Sequence, residues 1–364
     1  VQLMPTRAEV NARAAALRAG FERHGAQAVE PPILQPADTL LDLYGEDIRA
    51  RAYVTQDPLR GEQMLRPDFT VPVVQMHMAF GAEPARYTYA GEVFRRQEAD
   101  TGRPSEYMQV GYEVFDRADP AQSDAEVFAL VSAPLSHLAL QAKIGDIGLL
   151  IAAVNGLKTT EARKAALRRH IWRPKRFRAL LDRYAGQTPV PVARIKLLAA
   201  ADPFAESPTE VGLRGRGEVE NRIAALRADA AAPPLEGEAV ANIYQLLAVK
   251  GSLPAALVEL AELARKMPEI VSAVRRIEAR SAALKARCID LSRIVFDAAY
   301  GRSSMEYYDG FVFGLYFDGA SDSPAVASGG RYDALTLVLG QGAEIPAVGG
   351  VIRPEMVLSL EAHA

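Results

Sequence analysis

The 364-residue chain has one cysteine, Cys288, and one tryptophan. A single cysteine excludes an intramolecular disulfide and a cysteine-rich metal centre, and it fits a reducing compartment. The five histidines (His24, His77, His137, His170 and His363) stand far apart and lack metal-ligand spacing. Neither a metal nor a cofactor is therefore expected. No apolar run approaches the ~20 residues needed to cross a bilayer. The start, Val1-Gln2-Leu3-Met4-Pro5, has no basic stretch leading into an apolar one, so no signal peptide is expected and a soluble cytoplasmic protein is. There is no G-x-S-x-G and no P-loop. Net charge is only −3, which argues against a strongly basic nucleic-acid binder.

What is present is a globular composition, 49% hydrophobic and 24% charged. Residues 7–24 carry Val10, Ala14, Leu17 and Phe21 at helical spacing. A short strand follows near Ala28–Glu30, and 37–60 read as irregular. A helix then runs from about Thr70 to Phe80. Arg86–Arg96 and Tyr107–Phe115 alternate in polarity and predict an antiparallel pair around a polar loop. Residues 121–143 read as a helix and Ile144–Leu150 as a strand. From Gly156 to Arg287 the texture turns to Ala, Leu, Arg and Glu at helical spacing. After Cys288 the β texture returns, and Pro346–Leu360 runs from strand into helix through Gly349-Gly350. The expected architecture is one α+β unit, 1–155 and 288–364, with an antiparallel sheet flanked by helices and a mostly helical insertion at 156–287.

In the second β run, Tyr107, Gln109, Gly111, Glu113 and Phe115 share one face. Gln109 and Glu113 then flank a bare floor at Gly111, with Cα atoms roughly 13 Å apart at about 3.3 Å per residue. That leaves room for a small polar ligand; the plainer alternative is an exposed face with a glycine bulge. Arg95 ends the preceding strand and could meet an anion, or simply face solvent. Asp68 could pair an ammonium or cap the helix behind it. The basic run Arg163–Arg178 reads first as a solvated helix face and second as a dock for an acidic partner, phosphate or RNA.

Taken in order, these pieces resemble the class II aminoacyl-tRNA synthetases, and the histidyl-tRNA synthetase family most of all. The helix 7–24 with Ala28–Pro32 resembles the first, dimer-forming motif. Leu65-Arg66-Pro67-Asp68-Phe69-Thr70 resembles L-R-P-E-x-T. Phe94-Arg95 through Gln109 to Glu113 resembles the second motif. Glu306–Gly310 resembles D-Y-Y-T-G, and Gly329-Gly330-Arg331-Tyr332-Asp333 matches G-G-R-Y-D. The resemblance implies a histidine-like pocket of Asp68, Arg95, Gln109, Glu113, Tyr307, Tyr308 and Tyr332. The chemistry suits it: carboxylates for an ammonium and an imidazole N–H, an amide that donates and accepts, and tyrosine walls.

Departures from the pattern bear on function. Met356 stands where the third motif has its ATP-holding arginine, and Ser303 where the family has the arginine that promotes adenylation. Gln97 replaces the second motif's carboxylate. Losing one preorganised charge stabiliser typically costs about 10²–10³ in rate. No anticodon-binding domain is expected after the third motif. The combination resembles the regulatory subunits of ATP phosphoribosyltransferase, paralogues of histidyl-tRNA synthetase that have no chemistry of their own. The resemblance implies a short-form catalytic subunit as partner, a homodimer core within a hetero-octamer, a role in the first step of histidine biosynthesis, and L-histidine as a feedback ligand. The alternatives are a truncated synthetase or stand-alone aminoacyl ligase, and a pseudo-synthetase that senses RNA.

Overall fold

The computed structural model describes residues 5–44, 51–97, 104–205, 214–302, 307–317 and 324–363. Helix α1 (Arg7–Arg23) starts from a reciprocal cap, in which the Thr6 hydroxyl accepts the Glu9 N–H and the Glu9 carboxylate accepts the Thr6 N–H. Its predicted stripe of Val10, Ala14, Leu17 and Phe21 is buried. After β1 (Gln27–Ala28), a small antiparallel sheet forms from β2 (Leu34–Pro36), β3 (Val54–Asp57) and β4 (Gly61–Leu65), ordered β2-β4-β3. Helix α2 (Ala37–Tyr44) follows β2. The sequence suggested irregular chain over 37–60; α2 and β3 lie there instead. At 8 and 4 residues they are too short to establish a hydrophobic period.

Helix α3 (Thr70–Phe80) leads to β5 (Ala85–Phe94) and β6 (Glu106–Phe115), the predicted antiparallel pair. Helix α4 (Pro120–Ser132) then stops well short of the expected residue 143. Pro134 turns the chain through a short 3₁₀ segment, because proline supplies no N–H to continue an α-helix. The strand expected at Ile144–Leu150 is β7 (Leu140–Asp146), and it ends where the Asp146 carboxylate caps α5 (Ile147–Gly156) by accepting the Gly148 N–H at 2.9 Å.

The next stretch is helical: α6 (Glu161–Arg169), α7 (Pro174–Tyr184), α8 (Val192–Ala199), α9 (Arg216–Ala231), α10 (Gly237–Ala248), α11 (Leu253–Lys266) and α12 (Val271–Ala286). One strand, β8 (Lys250–Ser252), interrupts it. The chain closes with β9 (Ile294–Asp297), β10 (Phe311–Phe317), β11 (Ala327–Arg331), α13 (Asp333–Leu339), β12 (Ala347–Ile352) and α14 (Pro354–Glu361). The main sheet has nine strands, ordered β1-β5-β6-β12-β11-β10-β7-β9-β8. Its pairs are antiparallel except β1–β5 and β7–β9.

This sheet separates two apolar cores. One face carries Val110, Tyr112 and Val114 of β6 against α1 and α4, with α5 and α12 part of the same core. The other carries Tyr89, Phe115, Phe69 and Tyr332. Both faces of β6 are therefore buried, and the exposed-face alternative does not hold. The basic run is not simply a solvated face either. Arg163 is buried, donates to Asp229 Oδ1 and the Pro233 carbonyl at 2.7 Å each, and lies over the Tyr184 ring.

A buried ionic chain ties the helical stretch to the sheet. Arg280 of α12 donates to Asp124 Oδ2 (2.9 Å) and Asp146 Oδ2 (2.7 Å). Arg331 of β11 donates to Asp124 Oδ1 (2.7 Å) and Asp333 Oδ1 (2.9 Å). Burial works against the Arg331 charge, but Asp124 and Asp333 outweigh it and raise its pKa. Removing one partner of a buried pair typically costs about 3–5 kcal/mol, because the remaining charge is stranded. Arg280→Met is expected to lose stability of that order in urea unfolding. A loss below about 1 kcal/mol would show the chain of charges to be dispensable.

Candidate functional site

The face of β6 that bears Gln109, Gly111 and Glu113 looks away from the larger core. The sequence suggested open space above Gly111; the structure fills it. Gly111 pairs with Tyr89 of β5, and the Tyr89 ring lies across the bare backbone. A Cβ at Gly111 would stand 2.1 Å from that ring. Phe69 stacks on Tyr89 at 4.1 Å, and the Arg66 guanidinium lies 3.9 Å above Phe69. The floor is thus aromatic, and any ligand must lie over or beside Tyr89.

Glu113 is the centre of the site. Its Oε1 accepts from the Tyr89 hydroxyl at 2.8 Å and from Thr70 Oγ1 at 3.4 Å, and its Oε2 accepts from the Tyr332 hydroxyl at 2.5 Å. A Cβ at Gly349, opposite Glu113 in the β6–β12 register, would fall 1.4 Å from Oε2, so the strand needs glycine there. Burial pushes the Glu113 carboxyl up to about 7. The Tyr332 and Tyr89 hydroxyls work against the rise, and the Asp68 charge adds to it.

The other expected residues gather around it. Asp68 is buried just before α3, where Oδ1 accepts the Val71 N–H at 3.4 Å in a helix-capping role, close enough to act on Glu113. Tyr307 donates to Thr70 Oγ1 at 3.3 Å, and its ring meets Tyr332 edge-on at 6.1 Å. Tyr308 packs over Gly330; burial first and Glu113 second raise its pKa. Arg95 donates through Nε to the Pro67 carbonyl at 2.8 Å, with its guanidinium over Tyr107. Gln109 is 1% exposed, and its Oε1 is buried without a hydrogen-bond partner among the described residues. All seven expected pocket residues therefore share one side of the sheet.

The two replaced positions differ. Met356 sits on α14 and packs against the larger core. Ser303 lies outside the described residues. Its neighbour Arg302 turns elsewhere: Nε donates to the Ile171 carbonyl at 2.9 Å, the guanidinium covers Phe177, and burial pulls its pKa down to about 10. Sequence reasoning missed Tyr89 and Thr70 as partners of Glu113. The available signal was the pairing of a glycine with an aromatic residue across a predicted hairpin. Among the described residues, no group of three His, Cys, Asp or Glu side chains could hold a metal ion, and no helix is long and apolar enough to cross a membrane.

Comparison with known proteins places this geometry. The family model described as histidyl-tRNA synthetase matches residues 2–357. A Brucella anthropi protein named ATP phosphoribosyltransferase regulatory subunit is 30% identical over 353 residues, spanning 92% of this chain and 93% of its own length. A Brucella canis protein of the same name is 31% identical over the same shares of both chains. The chain belongs to the family of ATP phosphoribosyltransferase regulatory subunits, within the wider histidyl-tRNA synthetase family. Solved structures agree on the fold. One from Bacillus halodurans, titled as an ATP phosphoribosyltransferase regulatory subunit/histidyl-tRNA synthetase, matches with a TM-score of 0.68 at 20% identity, over 99% of this chain and 81% of that one. Histidyl-tRNA synthetase from Nostoc matches with a TM-score of 0.65 at 17% identity, over 100% and 74%. The class II synthetase-like fold expected from the sequence is therefore the fold this regulatory-subunit family member has.

The Glu113 environment predicts a pH signature. Its carboxyl titrates higher in the folded chain than the ordinary value of 4.5. The folded state thus holds that proton more tightly than the unfolded chain. The contribution is fully present below about 4.5, falls as pH rises towards 7, and is flat beyond. Glu113→Gln removes the titration while keeping an oxygen that accepts and the side-chain volume. The variant is expected to gain on wild type by up to about 3 kcal/mol between pH 4.5 and 7.5, at about 1.4 kcal/mol per unit. Thermal melts at stepped pH measure this, and parallel curves would contradict it.

Proposed function

We propose that this chain is the non-catalytic partner of a short-form ATP phosphoribosyltransferase catalytic subunit, activating it in the first step of histidine biosynthesis and taking part in inhibition by L-histidine. A homodimer of this chain forms the core of a hetero-octamer with the catalytic chains in the cytoplasm. The observation that carries the reading is a site divided between kept and lost functions. The residues that suit an imidazole and an ammonium remain grouped around Glu113, while the position expected to hold ATP is Met356, an uncharged thioether packed against the larger core. Such a site can recognise an amino acid and is poorly equipped to activate it with ATP. Binding there acts on its surroundings through short connections: Tyr332 follows Arg331, which is held by Asp124 and through it by Arg280. Histidine occupancy can thereby bias the packing of α12 against the sheet, and a coupling of about 1–3 kcal/mol suffices for a 5–150-fold effect.

Reconstitution tests this. Mixed with the short-form catalytic subunit from the same source, the chain is expected to co-elute with it and to raise phosphoribosyl-ATP formation several-fold. L-Histidine should lower that rate, and Glu113→Ala or Gln109→Ala should reduce the histidine response. Failure to co-elute or to activate would overturn the reading. Histidine-dependent exchange of pyrophosphate into ATP by the chain alone would favour an adenylating enzyme instead.

A further inference from the structure

Arg353 follows the last residue of β12. In that strand Gly349 pairs with Glu113, Val351 with Gly111 and Ile352 with Val110. Continuing the antiparallel register by one residue sets Arg353 beside Gln109, on the sheet face that carries Glu113. The backbone is pinned there, with the Arg353 N–H donating to the Val326 carbonyl at 3.0 Å. One guanidinium nitrogen, Nη1, donates to the Ala325 carbonyl. The side chain is half-buried: burial pulls its pKa down, Arg95 pushes the same way, and Tyr107 and Tyr308 work against them. The groups that favour its charge are the Tyr107 and Tyr308 phenols and, two residues on, the Glu355 carboxylate, whose Oε1 accepts the Met108 N–H; Arg95 is a second cation beside them.

A half-buried guanidinium with a second cation beside it gains from an anion placed at its remaining N–H groups. Next to it on the same face is the Gln109 Oε1, buried and without a partner among the described residues, which asks for an N–H donor. Further along, Glu113 offers an acceptor pole. A line of acceptor, acceptor and cation along one strand matches a molecule with N–H donors at one end and an anion at the other.

We propose that Arg353 is the carboxylate anchor of the amino-acid ligand, holding its anionic end beside Gln109 while its nitrogen-bearing end points towards Glu113. This rests on reading the Glu113 pocket as an amino-acid site. It adds a specificity-determining residue: Arg353 makes the pocket prefer an amino acid over the corresponding amino alcohol.

The test is calorimetric titration of the full chain with L-histidine and with L-histidinol, in which a hydroxymethyl group replaces the carboxylate. Wild type is expected to bind histidine at least about tenfold more tightly, the scale of one charge-assisted hydrogen bond. Arg353→Met, similar in length and uncharged, should bring the histidine-to-histidinol ratio close to one while leaving histidinol affinity unchanged. A purely structural role would weaken both ligands alike and overturn the assignment. So would a ratio retained in the variant, or a ratio near one in wild type. If Arg353→Met does not fold, Arg353→Lys, which keeps charge but loses the planar fork, should lower the ratio without abolishing it; an unchanged ratio would count against the proposal. The outcomes separate the two claims. Histidine binding that Glu113→Gln weakens, with a ratio indifferent to Arg353, removes this inference and leaves the pocket standing. No histidine binding by wild type removes the pocket reading and the inference with it.

Discussion

Asp124 holds together parts of the chain that lie far apart in sequence. Its two oxygens receive Arg280, from the helical stretch, and Arg331, from the sheet. Each of these guanidiniums reaches a further carboxylate, Asp146 and Asp333. Buried charges of this kind are costly unless each is paired, and each carboxylate and guanidinium here has an opposite charge within hydrogen-bond distance, so the arrangement favours one mutual placement of α4, α12, β7 and β11. Hydrophobic burial supplies most of the driving force for packing α12 on α4, but it is non-directional. The ionic chain provides the direction.

The same placement builds the pocket. Arg331 is fixed on the larger-core side of β11, so Tyr332, the next residue, emerges on the other side and reaches Glu113. Asp333, one step further, accepts both Arg331 and the Ala347 N–H, which sets β12 against α13. β12 then carries Gly349 past Glu113, where any side chain would collide. A glycine-rich motif that could be read as a loose turn is a run of tightly determined neighbours. Its arginine and aspartate belong to the scaffold, and its tyrosine belongs to the site.

Within the pocket, polarity is managed by hydroxyls in place of cations. Three of them, from Thr70, Tyr89 and Tyr332, meet one carboxylate at full burial. Hydroxyl donors stabilise a charge less than a guanidinium does, and the carboxyl consequently titrates near neutrality.

The sequence by itself determined the α1 stripe, the β5–β6 hairpin and the return of β texture after Cys288, and it named seven residues that the fold sets on one side of the sheet. These signals are local: helical spacing, alternation, and short motifs whose order along the chain carries the resemblance. It also marked Met356 and Ser303 as departures. Tertiary structure alone decided the rest. Gly111 is bare because Tyr89 crosses it, and Tyr89 crosses it only in the observed register. Asp124, Asp146 and Arg280 look like ordinary helix and strand charges until folding removes their water. Arg353 is one of many arginines in the sequence; it becomes a candidate ligand anchor because β12 ends beside Gln109. Periodicity specifies which face a residue occupies. The identity of the residue opposite it, and the loss of solvent between them, depend on strand register and on contacts between distant segments, which no local pattern encodes.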